Sequence, residues 1–134
     1  MSQSSKFDLQ AALRVAAHVT ATLEPACELE RFLVCGSVRR RLRWVSDVDV
    51  IFVPKMVEKP DPNDLFRIPT MASLADEAVD ELVRSGGFRR GETWGPLNKR
   101  LVDIGSGIPV DLFACTTSNW WNQVVMRTGP AELN

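Results

Sequence analysis

Two aspartates stand one residue apart in SDVDVIFV, at positions 47 and 49, inside a run of β-branched and aromatic residues. Alternate side chains of a strand share a face, so Asp47 and Asp49 project together, with Cα atoms roughly 6–7 Å apart. At ~6 Å and an effective dielectric near 20, two bare carboxylates repel by about 3 kcal/mol. Flanked by Val48, Val50, Ile51 and Phe52, such a pair calls for a cation. A divalent metal would serve, and so would a guanidinium from the block Arg39, Arg40, Arg41 and Arg43. The spacing of the pair alone leaves both open.

Asp111 adds a third carboxylate. It sits in IPVDLFA, again among core-type residues, and nothing beside it in the sequence neutralises it. Three acids with no His or Cys among them form an oxygen-only donor set, which suits a hard cation such as Mg²⁺. A carboxylate pair bridging two ions, with a third acid on one of them, is the wiring of two-metal phosphoryl transfer. Upstream, Gly36 lets backbone approach a ligand, and Ser37 offers a hydroxyl and an amide at the start of a short helix. Arg39 and Arg40 on that turn can grip phosphate oxygens bidentately.

The elements that must hold these residues follow from periodicity. Leu9, Ala12, Leu13, Ala16, Val19 and Leu23 recur with helical spacing, and Glu24-Pro25 closes that helix. RFLVC at 31–35 reads as a buried strand entering the Gly-Ser turn, and 48–53 as a second strand ended by Pro54. Residues 54–70 hold four prolines and read as a mobile loop. A helix follows from Ser73 to Leu82 and stops at Gly86-Gly87. Strands are expected from Phe88 onward, with NKRLVDI and IPVDLFA joined by a hairpin turn at Gly105-Ser106-Gly107. Thr116, Thr117 and Ser118 offer caps for a last helix, NWWNQVVMR. The fold class is α+β, a small mixed or antiparallel sheet with helices packed on one face.

With 134 residues, the chain has material for a single domain with one core. Cys27, Cys35 and Cys115 share no metal or disulfide spacing and read as small buried hydrophobes, and His18 reads as structural. Neither a signal peptide nor an apolar run of ~20 residues is present, so an intracellular location with no membrane partner is expected. The formal net charge is −1, so overall charge selects no partner. The local basic blocks, including Arg89-Arg90 and Lys99-Arg100, fit either a phosphate-bearing ligand or a solvated face. Of Trp120 and Trp121, adjacent on one helix, at most one can face the core.

Taken together, GSVRR at 36–40 followed eleven residues after Gly36 by DVD resembles the palm of family X DNA polymerases, in the polymerase-beta nucleotidyltransferase superfamily. VDL at 110–112 is similar to that family's third-aspartate strand. RTGP at 127–130 falls where the family carries an aromatic-aromatic-Thr-Gly motif, with Met126-Arg127 here in place of the aromatic pair. The resemblance implies that Asp47 and Asp49 ligate two Mg²⁺ ions, with Mn²⁺ a possible substitute. It implies that Asp111 ligates the catalytic ion and helps deprotonate a primer 3′-hydroxyl. Gly36, Ser37 and Arg40 would then meet the phosphates of a nucleoside triphosphate, Thr128 and Gly129 its sugar, and Asn134 its base. The partner would be a DNA primer/template. A palm that binds nucleotide or DNA without turnover, or one that modifies a tRNA or protein acceptor, is the alternative.

Overall fold

The computed structural model describes residues 6–36, 38, 43–60, 63, 65, 66 and 68–128, with residue 128 described in its backbone only. A two-residue strand β1 (Phe7–Asp8) leads into helix α1 (Leu9–Leu23), and a 3₁₀ turn over Glu24–Ala26 ends it. Then come β2 (Cys27–Cys35), β3 (Trp44–Val45), β4 (Val48–Pro54), β5 (Met56–Pro60) and β6 (Pro69–Ser73). Helix α2 (Leu74–Arg84), strands β7 (Phe88–Trp94), β8 (Asn98–Asp103) and β9 (Pro109–Ala114), and helix α3 (Trp120–Thr128) complete the order.

Five strands form the main sheet in the order β2-β4-β9-β8-β7, and β1-β3 and β5-β6 form separate two-stranded ribbons. Among the described residues, only β4 and β9 run parallel; the other neighbours in the main sheet are antiparallel. The fold is α+β with a mixed sheet, as expected.

Alternation along β4 splits its residues between two apolar clusters. Val48, Val50 and Phe52 join Val110 and Leu112 of β9 beneath α1 and α2, where Ala12, Val19, Leu23, Val79 and Leu82 are buried. Ile51 and Val53 face the other way and pack with Cys35, Cys115 and Trp120. The expectation of helices on one face therefore describes α1 and α2, whereas α3 lies against the opposite face. Trp120 is 3% exposed and Trp121 65%, as their adjacency on one helix requires.

Helix α2 starts where the sequence suggests, with the Ser73 hydroxyl accepting from the Asp76 amide at 3.2 Å. Helix α3 follows a reciprocal cap: Thr116 N donates to Asn119 Oδ1 at 2.8 Å, and Asn119 N to Thr116 Oγ1 at 3.2 Å. The expected loop over 54–70 is corrected at its two flanks, and residues 61, 62, 64 and 67 lie outside the described residues. Met56–Pro60 pairs with Pro69–Ser73 as an antiparallel ribbon, its outermost described pair being Pro60 with Pro69. Proline is tolerated on such edges because the amide it lacks would have pointed to solvent. None of the three cysteines is in a disulfide, and burial pushes the Cys27 thiol up to about 12. His18 packs its ring on Phe88, with centroids 5.2 Å apart. Among the described residues, no helix is long and apolar enough to cross a membrane.

Candidate active site

Asp49 is the second residue of β4 and pairs in parallel register with Asp111 of β9. Partners in register point to the same side of a sheet, and Asp47 shares that side through the alternation of the chain. The three carboxylates each offer an oxygen, and these oxygens lie within 4.8 Å of one another. They occupy the face that carries Ile51 and Val53, at the start of the parallel pair, and α3 covers the same face further along. The convergence expected of Asp47, Asp49 and Asp111 is present.

The electrostatics are those of crowded acid. Burial raises the Asp49 carboxyl from 3.8 to about 6, aided by the charges of Asp47 and Asp111 and opposed by Arg127 and Arg100. Burial also raises Asp47, with Asp111 acting in the same sense and Arg100 against it. Half-buried carboxylates that hold their protons too tightly are short of positive charge, and oxygen donors this close fit a hard divalent cation.

Gly36 follows β2 directly, beside this cluster, with φ at +74°. Its partner strand places Asp49 opposite Cys35. A Cβ on residue 36 would stand 2.8 Å from Asp49 Oδ2, so only glycine satisfies both the backbone and the carboxylate. Ser37, Arg40, Gly129 and Asn134 lie outside the described residues, as does the side chain of Thr128. The backbone of Thr128 closes α3. One residue earlier, the Arg127 guanidinium lies 3.7 Å from the centroid of Phe113, two residues along β9 from Asp111. The last turn of α3 therefore returns to the carboxylate end of the sheet.

The sequence leaves Asp111 without a counter-ion, and the fold supplies one. Arg100 of β8 stands opposite Asp111 in the antiparallel register. Its Nε donates to Oδ1 at 2.8 Å and its Nη2 to Oδ2 at 2.7 Å, a bidentate fork. The same Nη2 lies 3.9 Å from Asp47 Oδ2. Its neighbour Lys99 points to the other face, to Asp76 of α2 at 3.3 Å and the Gly95 carbonyl at 2.9 Å. Arg100 and Lys99 are thus engaged within the molecule. Arg90 stacks over Trp94 at 4.3 Å. A separate, mainly apolar cavity of about 530 Å³ opens at the far end of the strands, lined by Phe52, Leu97, Leu112 and Ala114, and none of the three acids borders it.

No protein-family model matches the chain, and no curated protein matches it. Solved structures do. Leishmania infantum polymerase beta in a ternary P/T complex superposes with a TM-score of 0.67 at 19% identity, over 93% of this chain and 48% of that one. The same protein in a ternary gap complex gives 0.64 at 19% identity, over 93% of this chain and 43% of that one. The chain thus spans about half the length of the polymerase structures it matches. Its fold is polymerase-beta-like.

Proposed function

We propose that this chain is a divalent-metal-dependent nucleotidyltransferase, a palm-like unit that adds a nucleotide to a nucleic-acid 3′ end. One observation carries the reading: Asp47, Asp49 and Asp111 offer oxygens within 4.8 Å of one another on one face of the sheet. The polymerase-beta-like fold supports it, and so does the placement of Gly36 against Asp49.

In this reading Asp47 and Asp49 hold two Mg²⁺ ions, or Mn²⁺ in their place, and Asp111 completes the set. Bound there, the ions neutralise triphosphate charge and acidify the attacking hydroxyl. The 3′-oxygen bonds to the α-phosphorus, the bond from that phosphorus to its leaving oxygen breaks, and pyrophosphate departs. Asp111 helps take up the hydroxyl proton. Gly36 keeps the backbone close enough for Ser37 and Arg40 to meet the β- and γ-phosphates, while Thr128 and Gly129 line the sugar and Asn134 meets the base. The substrates are a nucleoside triphosphate and a DNA primer/template. Catalysis of this kind is mostly positioning and charge neutralisation, with little covalent chemistry from protein.

The test is Asp49→Ala assayed for extension of a labelled DNA primer with Mg²⁺ or Mn²⁺, with circular dichroism to check the fold. A folded variant without activity is expected. Persistent extension rejects the assignment, and labelling of tRNA or protein in place of the primer redirects it to another acceptor.

A further inference from the structure

We propose that Arg100 is a built-in counter-ion that competes with divalent cations for Asp111, and that Gly91 provides the slot that holds it there. This rests on the metal-binding reading above and concerns how the affinity of that site is set.

Arg100 engages both oxygens of Asp111, at 2.8 and 2.7 Å. A planar fork of this kind fixes the carboxylate in orientation as well as neutralising it. The reach of the same nitrogen toward Asp47, at 3.9 Å, extends the effect to a second candidate ligand. An oxygen that already accepts from a guanidinium is a poorer metal ligand, and a fixed positive charge beside it repels an incoming cation. A divalent ion drawing fully on Asp111 must displace the fork or share the carboxylate with it.

The neighbouring strand is shaped to keep Arg100 in this position. A Cβ on Gly91 would stand 2.7 Å from Arg100 Cγ, 3.0 Å from its Cβ and 3.0 Å from its carbonyl oxygen. Gly91 lies in β7 where the pairing with β8 shifts register, between Arg90 and Trp94. Its missing side chain leaves the groove in which the Arg100 stem lies. Two strands therefore cooperate to hold a cation against the carboxylates, β8 by its register and β7 by its glycine.

The experiment titrates Mn²⁺ alone into the full chain without nucleotide, reading the magnetic-resonance signal of free Mn²⁺. Arg100→Gln is expected to bind at least tenfold more tightly than the wild type, and Asp49→Asn to lose binding. Equal or weaker binding by Arg100→Gln overturns this inference and leaves the metal reading standing. Absence of binding in both the wild type and Arg100→Gln overturns the two together. Because Arg100→Gln also strips Asp111 of its partner, the competition is read on the wild type too. The Arg100 Nε–H proton resonance is followed while Mg²⁺ is added. A resonance that moves and saturates with Mg²⁺ supports competition, and one that stays fixed overturns it. Gly91→Ala, which pushes on the Arg100 stem, is expected to raise Mn²⁺ affinity by a smaller factor. Unchanged affinity and an unmoved resonance in that variant overturn the role of the slot.

Discussion

Replacing Asp49 by Asn removes one charge from the cluster while keeping the shape of the side chain, and the structure sets the size and sign of the result. In the folded chain the Asp49 carboxyl is raised from 3.8 to about 6, first by burial and then by Asp47 and Asp111. The interval between those values is nominally worth about 3 kcal/mol. The group is only half-buried, and solvent screening reduces the figure to about 1–1.5 kcal/mol. The folded chain keeps this proton to higher pH than the unfolded chain, so between pH values of about 4 and 6 it binds more protons and stability falls as pH rises. Below that window both states are protonated and the penalty is absent; above it the penalty is complete. Thermal unfolding in EDTA should therefore show Asp49→Asn more stable than the wild type at pH 7.5. A difference of about 1–1.5 kcal/mol corresponds to roughly 3–6 °C in Tm for a domain of this size. The gap should close as pH is lowered toward 4. Excess Mg²⁺ at pH 7.5 should reverse the order, since a ligand at 100 times its Kd adds about 2.7 kcal/mol to the form that binds it. A variant less stable than the wild type in EDTA, or a difference that ignores pH, would show that Arg127 and Arg100 already satisfy Asp49, and the charge-crowding account would fail.

Gly36→Ala should cost about 1–2 kcal/mol of stability from the left-handed backbone alone, read by urea denaturation, and should weaken Mn²⁺ binding by displacing Asp49, since the added Cβ would meet Oδ2 at 2.8 Å. Wild-type Mn²⁺ affinity in that variant would separate the turn from the carboxylates. Trp120→Ala should lose about 3–5 kcal/mol by emptying the cluster under α3, whereas Trp121→Ala should stay within about 0.5 kcal/mol. Chemical denaturation of the pair compares the two, and similar losses would contradict the placement of α3.

The carboxylate pair was legible because alternation in a strand is a local rule, and Val48 to Val53 gave that strand away. Asp111 was legible as a third acid in an apolar run, but its register opposite Asp49 is a contact across nearly half the chain, and no local rule encodes it. The role of Arg100 was hidden for a different reason. Its charge looked like part of a solvated block, yet the hairpin at Gly105-Ser106-Gly107 was in plain view. Counting back from that turn, where Asp103 N bonds Ile108 O at 2.9 Å, sets Arg100 across from Asp111. The signal was the turn rather than the arginine. The ribbon of β5 and β6 escaped because its described residues are mostly exposed and rich in proline, so neither alternation nor a buried face marks it. The position of α3 across the sheet from α1 and α2 depends on which side of β4 Trp120 meets, and a helical pattern by itself does not specify a side.

The parallel pairing of β4 with β9 carries a consequence for how the molecule is assembled. The other neighbouring pairs of the main sheet are antiparallel, but β4 and β9 meet only after the intervening ribbon, α2 and the β7–β8 hairpin have been looped out between them. Closing so large a loop is entropically slow. That closure brings Asp111 up to the pair Asp47 and Asp49, so the repulsion between the third acid and the other two arises only when β9 docks on β4. Until then Asp111 can travel with Arg100 as a neutral pair on its own hairpin, and the acidic triad exists only in molecules that have completed the sheet.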